Sequence, residues 1–329
     1  MNPSDASSFN HRTEKLSTGR TYHFVDQIPT DYKQGRTPTL LCVHGFPDCW
    51  YGWRYQIKPW VQRGFRVVTP DIRVRTILSY TRQGYGGTDK PKDAIDYSTK
   101  RLCADLTAIL DLLSIKKAVL IGHDWGHSLP PFGISHIICA IYATFTAVHT
   151  SEKLLKDSAK FKLSGLLRGT TLYGGGRVKC DLSSPSPTQR FKISQLYKGP
   201  EVLSKVRVPD SDIVLNAEEL GFYTRLFEHQ GMNGPLNYYR TALYRHEEEL
   251  AAHLPPNVRP DLPVLFIYGT KDTTTTAALI SKAHRFIPRL QDLALEERGH
   301  WVMLEARDVI TDKVIQWLED LIEAQKARL

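Results

Sequence analysis

The stretch Ala118-Val119-Leu120-Ile121-Gly122-His123-Asp124-Trp125-Gly126 decides the fold of this chain. Its four leading apolar residues read as a buried strand. A tight turn follows, with glycine two positions before and two positions after Asp124. Small residues at those places let a strand turn abruptly, leaving the central side chain exposed at the strand tip, as in a nucleophile elbow. Serine occupies the centre of the commoner form; here it is a carboxylate. A carboxylate nucleophile attacks carbon, opening a ring or displacing a leaving group, and leaves an ester for water to hydrolyse. An ordinary strand-to-loop turn can carry the same five residues, so the rest of the chain must decide.

Working outward, other short apolar runs alternate with helical patterns. Pro38 to His44, Phe65 to Pro70, Lys117 to Ile121 and Pro263 to Tyr268 read as buried strands of parallel type. Between them, Trp53, Ile57, Trp60 and Val61 share one face of a helix over Trp50 to Arg63. Leu102, Leu106, Ile109, Leu110 and Leu113 do the same over Ser98 to Leu113, and Asp308 to Lys326 forms an amphipathic closing helix. This alternation predicts an α/β fold, a mostly parallel doubly wound sheet with ligands beyond the carboxyl ends of its strands. From about Thr150 to Arg259 the alternation stops, and a helical pattern over Asn216 to Gln230 marks an inserted, mainly helical cap. The expected division is a core of residues 1–149 and 260–329 with a cap of residues 150–259.

A carboxylate nucleophile needs a base to activate water against its ester, and an acid to orient that base. Asp272 follows the strand-like Val264 to Tyr268, and His300 follows Leu293 to Glu297. Asp272 by itself reads more readily as a helix N-cap than as a catalytic acid. The order Asp124, Asp272, His300, with each residue at the carboxyl end of a strand, is the order of α/β-hydrolase triads. Directly after the first long strand, His44-Gly45-Phe46-Pro47-Asp48 makes a sharp turn, and the amides of Phe46 and Trp125 could converge on a developing oxyanion. In Gly234-Pro235-Leu236-Asn237-Tyr238-Tyr239-Arg240, a phenol aimed at the carboxylate could protonate an epoxide oxygen as the ring opens; a tyrosine taken alone there reads more readily as cap packing.

Taken together, these segments resemble the α/β-hydrolase-fold epoxide hydrolases. The resemblance rests on His44 to Asp48 with Trp50-Tyr51-Gly52-Trp53-Arg54, on Gly84-Tyr85-Gly86-Gly87-Thr88-Asp89-Lys90-Pro91, on Gly122 to Gly126, on the Tyr238-Tyr239 run and on Gly299-His300-Trp301. It spans residues 20 to 126 and 215 to 320. It implies that Asp124 is the nucleophile, His300 the water-activating base, Asp272 its partner, and Tyr239 one of two cap tyrosines that polarise an epoxide. The substrates implied are a small-molecule epoxide and water, and the product a vicinal diol. Haloalkane dehalogenases share the fold and the Asp nucleophile but typically carry Asn where this chain has Phe46, and they lack the cap tyrosine run. A non-catalytic descendant that binds a ligand or partner is the third alternative.

Two segments depart from the pattern. Val74 to Gln83 stands between Asp71-Ile72-Arg73 and Gly84-Tyr85-Gly86, which in the family run together. After Gly126, the family continues with a helix of small and apolar residues. This chain reads His127-Ser128-Leu129-Pro130-Pro131-Phe132-Gly133, and proline in a helix interior costs roughly 3 kcal/mol. No family pattern is recognisable from His127 to about Pro209. The second cap tyrosine falls in that region, with Tyr173 and Tyr197 as candidate substrate-binding residues.

The composition excludes other classes. Of 329 residues, 41% are hydrophobic and 24% charged, ordinary for a globular protein with a sizeable core. The net charge of +8 is spread out rather than gathered into a basic stripe, so no nucleic-acid partner is expected. The five cysteines lack metal-type spacing, and nothing resembles a phosphate loop, so neither metal nor cofactor is expected. No signal-type segment opens the chain, and the apolar patch Ile134 to Phe145 is too short to span a bilayer. The expected location is intracellular: cytoplasmic, or peroxisomal because Ala327-Arg328-Leu329 resembles a peroxisomal address. The chain gives no indication of oligomeric state.

Overall fold

The computed structural model describes residues 1–73, 87–128, 137–143, 179–180, 206–207, 214–230, 233–253, 260–272, 274–275 and 277–326. In chain order its strands are β1 (His11–Lys15), β2 (Thr21–Gln27), β3 (Thr39–Val43), β4 (Arg66–Pro70), β5 (Ala118–His123) and β6 (Ile137–Ala143), a short pair β7 (Lys179–Cys180) and β8 (Val206–Arg207), then β9 (Val264–Gly269) and β10 (Leu290–Leu295). Apart from β7 and β8, they form one eight-stranded sheet in the order β1-β2-β4-β3-β5-β6-β9-β10. The pairings from β4 through to β10 are parallel; β1–β2 and β2–β4 are antiparallel. This is the expected mostly parallel α/β sheet. The centre of the apolar patch Ile134 to Phe145 is strand β6.

Side chains alternate between two apolar layers because successive residues of a strand point to opposite faces. Leu40 and Cys42 of β3, with Val119 and Ile121 of β5, pack under the layer built from Trp50, Trp53, Ile57, Trp60, Trp301 and Val314. Leu41 and Val43, with Ala118 and Leu120, pack under the layer built from Leu102, Leu106 and Ile109. Helices α1 (Arg54–Gln62) and α2 (Thr99–Leu112) therefore lie on opposite faces of the sheet. Ahead of α1, Trp50–Trp53 forms a 3-10 turn rather than the first turn of one long helix.

Beyond the sheet, α3 (Ala217–Gln230), α4 (Asn233–Arg240) and α5 (Ala242–Ala251) follow one another. A reciprocal capping box starts α3: Glu219 N–H donates to Asn216 Oδ1 (2.9 Å) and Asn216 N–H to Glu219 Oε2 (3.0 Å). Glu219 also ties α3 to α1. Its Oε1 accepts from Arg54 Nε at 2.9 Å and from the Tyr55 hydroxyl, with Arg54 and Glu219 both buried. Tyr223, one turn along α3, donates to Asp48 Oδ1 at 2.8 Å. Glu248 of α5 accepts from Ser98 Oγ at 2.8 Å, at the N-terminus of α2. The chain continues through α6 (Ala277–Ala283) and α7 (Val302–Glu305) to α8 (Arg307–Lys326), and no helix among the described residues is long and apolar enough to cross a membrane.

Candidate active site

Strand β5 ends at His123, and Asp124 stands just past its tip with φ of +53°. A left-handed conformation is costly for any residue with a Cβ and persists only where the surroundings over-determine it. Here they do, because β5 is paired on both sides, to β3 over Ala118 to Gly122 and to β6 as far as His123. Two glycines let neighbouring backbone close in. A Cβ at Gly126 would overlap the Val43 carbonyl and lie 2.9 Å from the His44 oxygen. One at Gly45 would overlap Asp124 itself and lie 2.6 Å from the Trp125 amide nitrogen.

The turn after β3 is held from below. Buried His44 donates from Nδ1 to the Gly45 carbonyl (2.9 Å) and accepts at Nε2 from the Ile72 amide (3.0 Å). Burial lowers its pKa, which suits the neutral ring this pattern requires. The Phe46–Pro47 peptide is cis, and the Phe46 amide donates to Asp124 Oδ1 at 2.7 Å. The Ile72 carbonyl accepts from the Tyr238 hydroxyl at 2.5 Å. One residue beyond β4 thus links the Gly45-Phe46 turn to helix α4, where Tyr239 sits. The Tyr239 ring stands edge-on to Phe46 (5.2 Å between centroids) and to Trp125 (5.1 Å).

Asp272 and His300 arrive from the carboxyl ends of β9 and β10. His300 Nε2 lies 3.4 Å from Asp124 Oδ2, and its Nδ1 lies 3.1 Å from Asp272 Oδ2. Burial would depress the imidazole pKa, but hydrogen bonds to Asp124 and Asp272 and their charges overcome it and push the group up to about 10. Burial likewise disfavours charge on both carboxylates, yet His300 holds each below its ordinary value, helped by the Phe46 amide for Asp124 and by Thr274 for Asp272. All three shifts favour an imidazolium between two carboxylates. Asp124, Asp272, His300, Phe46, Trp125 and Tyr239 are brought together at one end of the sheet.

Three contributors were not apparent from the sequence. Thr274 donates to Asp272 Oδ1 from its amide (2.8 Å) and its hydroxyl (2.7 Å). His123, immediately before Asp124, meets the His300 carbonyl through Nε2 at 3.0 Å, and burial pushes its pKa down to about 3, so it is a neutral donor. The third is the Ile72 backbone. Only the polar type and position of Thr274, two residues after an acid, offered a signal: this is the Asx-turn pattern. Tyr173, Tyr197, residues 74–83, the Gly84-Tyr85-Gly86 run, Pro130-Pro131 and Ala327-Arg328-Leu329 lie outside the described residues.

Residues 38–126 match a family model described as the alpha/beta hydrolase fold. Bifunctional epoxide hydrolase 2 of Mus musculus is 26% identical over 341 residues, covering 98% of this chain; the chain spans 57% of that protein's length. Epoxide hydrolase 3 of Siraitia grosvenorii is 29% identical over 264 residues, covering 73% of this chain and 76% of that protein. Epoxide hydrolase A of Mycobacterium tuberculosis is 28% identical over 306 residues, covering 86% and 91%. Among solved structures, an epoxide hydrolase variant from Vigna radiata superposes with a TM-score of 0.72 at 22% identity, over 95% of this chain and 99% of that one, a likeness of fold. The chain has the α/β-hydrolase fold, and the relatives it resembles are named epoxide hydrolases.

Proposed function

We propose that the chain is an epoxide hydrolase that opens a small-molecule epoxide to a vicinal diol through an ester on Asp124. The observation that carries the reading is the division of labour between the two oxygens of one strained carboxylate. Oδ1 accepts from the Phe46 amide at 2.7 Å, while Oδ2 faces His300 at 3.4 Å. Oδ2 attacks an epoxide carbon, and the carbon–oxygen bond that breaks leaves its electron pair on the ring oxygen. Tyr239, carried by helix α4, gives that oxygen a proton. Oδ1 becomes the carbonyl oxygen of the ester, already seated against the Phe46 amide with the Trp125 amide beside it. Those two N–H groups stabilise the oxyanion when water adds to the ester carbon.

The electrostatics fit a two-step cycle. While Asp124 is a carboxylate, His300 is held as an imidazolium and cannot act as a base. Ester formation removes the negative charge at Asp124, so the pKa of His300 falls and its proton passes, directly or through water, to the phenolate left on Tyr239 by ring opening. The neutral imidazole, still oriented through Nδ1 by Asp272, takes a proton from the attacking water. The tetrahedral intermediate collapses by breaking the bond between the ester carbon and the substrate oxygen. That oxygen leaves as an alkoxide, takes the proton of the newly formed Asp124 carboxyl group and is released as the diol, leaving Asp124 a carboxylate.

The test is diol release from a panel of aryl and alkyl epoxides, with Asp124→Ala and His300→Gln beside the wild type. Asp124→Ala is expected to release no diol, and His300→Gln to retain the substrate as added mass on the intact protein. Wild-type turnover by Asp124→Ala would refute the reading. Halide release from haloalkanes in place of diol formation would redirect it to dehalogenation.

A further inference from the structure

We propose that Glu305 is a positioning residue that holds the His300 imidazole in register with Asp124 by gripping the backbone on both sides of it. The inference rests on the reading of His300 as the water-activating base. Glu305 lies at the end of the four-residue helix α7, and its carboxylate folds back over the loop that precedes the helix. Oε2 accepts from the Gly299 amide at 2.6 Å and Oε1 from the Trp301 amide at 2.8 Å. The carbonyl of His300 itself meets His123 Nε2 at 3.0 Å. The His300–Trp301 peptide is therefore held at both ends, its N–H by Glu305 and its C=O by the residue preceding Asp124.

This arrangement addresses a specific difficulty. His300 follows β10, the edge strand of the sheet, whereas Asp124 follows β5, with β6 and β9 in between. A loop carried by an edge strand has no neighbour on its outer side to fix its direction, and the imidazole must serve two carboxylates at once, at 3.1 and 3.4 Å. A carboxylate suits the task because it offers two acceptor oxygens to two donors and presents no hydrogen of its own when ionised. Burial raises the Glu305 pKa, while the two amides and the positive charge of His300 oppose that shift. Glutamine has nearly the same shape but one acceptor, and its NH2 would face a backbone N–H.

The experiment follows intact-protein mass and diol formation with styrene oxide for the wild type, Glu305→Gln and His300→Gln, with circular dichroism as the folding control. Loss of alignment should slow ester hydrolysis about 10- to 100-fold, since sub-ångström placement of a catalytic group governs rates on this scale. Ester formation, which does not need the base, should continue, so Glu305→Gln accumulates alkyl-enzyme during turnover. A variant that is merely less stable would lose both half-reactions in proportion and show no accumulated ester. Should Glu305→Gln not fold, Glu305→Asp keeps both oxygens on a shorter stem and is read in the same way. Ester trapped in His300→Gln but absent from folded Glu305 variants would overturn the proposal. No ester in His300→Gln would remove the reading of His300, and this inference with it.

Discussion

Replacing Thr274 by valine removes one hydroxyl while keeping the shape of the side chain, and so probes how the acid beside His300 is held, the same hydroxyl lying 3.3 Å from His300 Nδ1. That hydroxyl donates to Asp272 Oδ1 at 2.7 Å, beside the Thr274 amide at 2.8 Å, and Asp272 is only 6% exposed. A hydrogen bond to a charged acceptor contributes about 1.5–3 kcal/mol, so the variant should lose roughly 2 kcal/mol of stability at pH 7. In an Asp272→Asn background the same hydroxyl meets a neutral amide. There the cost should fall to about 0.5–1.5 kcal/mol, and the double-mutant cycle should return a coupling of about 1 kcal/mol. The sign with pH is fixed as well. Burial raises the Asp272 carboxyl, but His300 and the Thr274 donors bring it below its ordinary value. The stability they contribute is present above the unfolded-state pKa of about 4 and lost as pH falls through the depressed native value. Urea unfolding of the four proteins at pH 7 and pH 3 is the assay. A penalty under about 0.5 kcal/mol at pH 7, or an equal penalty with Asp272→Asn, would refute the reasoning.

Two further outcomes concern the fold as a whole. Arg54→Met leaves the buried Glu219 carboxylate without its guanidinium and should cost about 3–5 kcal/mol in urea unfolding, whereas Arg54→Met with Glu219→Leu should recover most of it; equal losses in both would contradict the ion-pair account. Thermal stability should be highest a little below neutral pH. His300, raised to about 10, contributes stability that is complete below its unfolded value near 6.5 and lost as pH climbs through 10. On the acid side, His11 and His123, lowered to about 4 and about 3, must stay neutral in the fold and oppose it once the unfolded chain protonates below about 6.5. Asp48, raised to about 7 by burial, runs the other way, favouring the fold below about 4 and losing that contribution as pH rises towards 7. The alkaline fall between pH 7 and 10 should flatten in His300→Gln, and a melting-temperature series that keeps it there would count against the pairing.

Where the chemistry of a short segment is dictated by its own sterics, the sequence was legible. Ala118 to Gly126 needs an apolar strand, two glycines and a residue that tolerates a sharp turn, and all of that is local. The strands at 39–43, 66–70 and 264–269 and the helices at 54–62 and 99–112 stand within a residue or a few of their periodicity-based expectation, because apolar spacing reports directly which faces are covered. Strand β6 was less legible, since an unbroken apolar run carries no period of its own. His123 was invisible for a different reason. Its partner, the His300 carbonyl, is 177 residues away in sequence and is brought near only by tertiary folding, whereas Thr274 and Glu305 meet partners within six residues of themselves.

By itself, then, the sequence determined that this is an α/β chain with a carboxylate at a strand tip, an acid and a histidine following in order, and a tyrosine pair further along. Those features rest on steric and hydrophobic rules that act over a few residues. Only the tertiary structure decided that Oδ1 of Asp124 meets the Phe46 amide while Oδ2 faces His300. It alone decided that the Ile72 backbone joins the Gly45-Phe46 turn to the helix carrying Tyr239. The physical reason is that such contacts depend on strand order and register, with β5 seated between β3 and β6 and the histidine loop on the edge strand β10. Those are set by the competition of all strands for neighbours, which no single segment encodes.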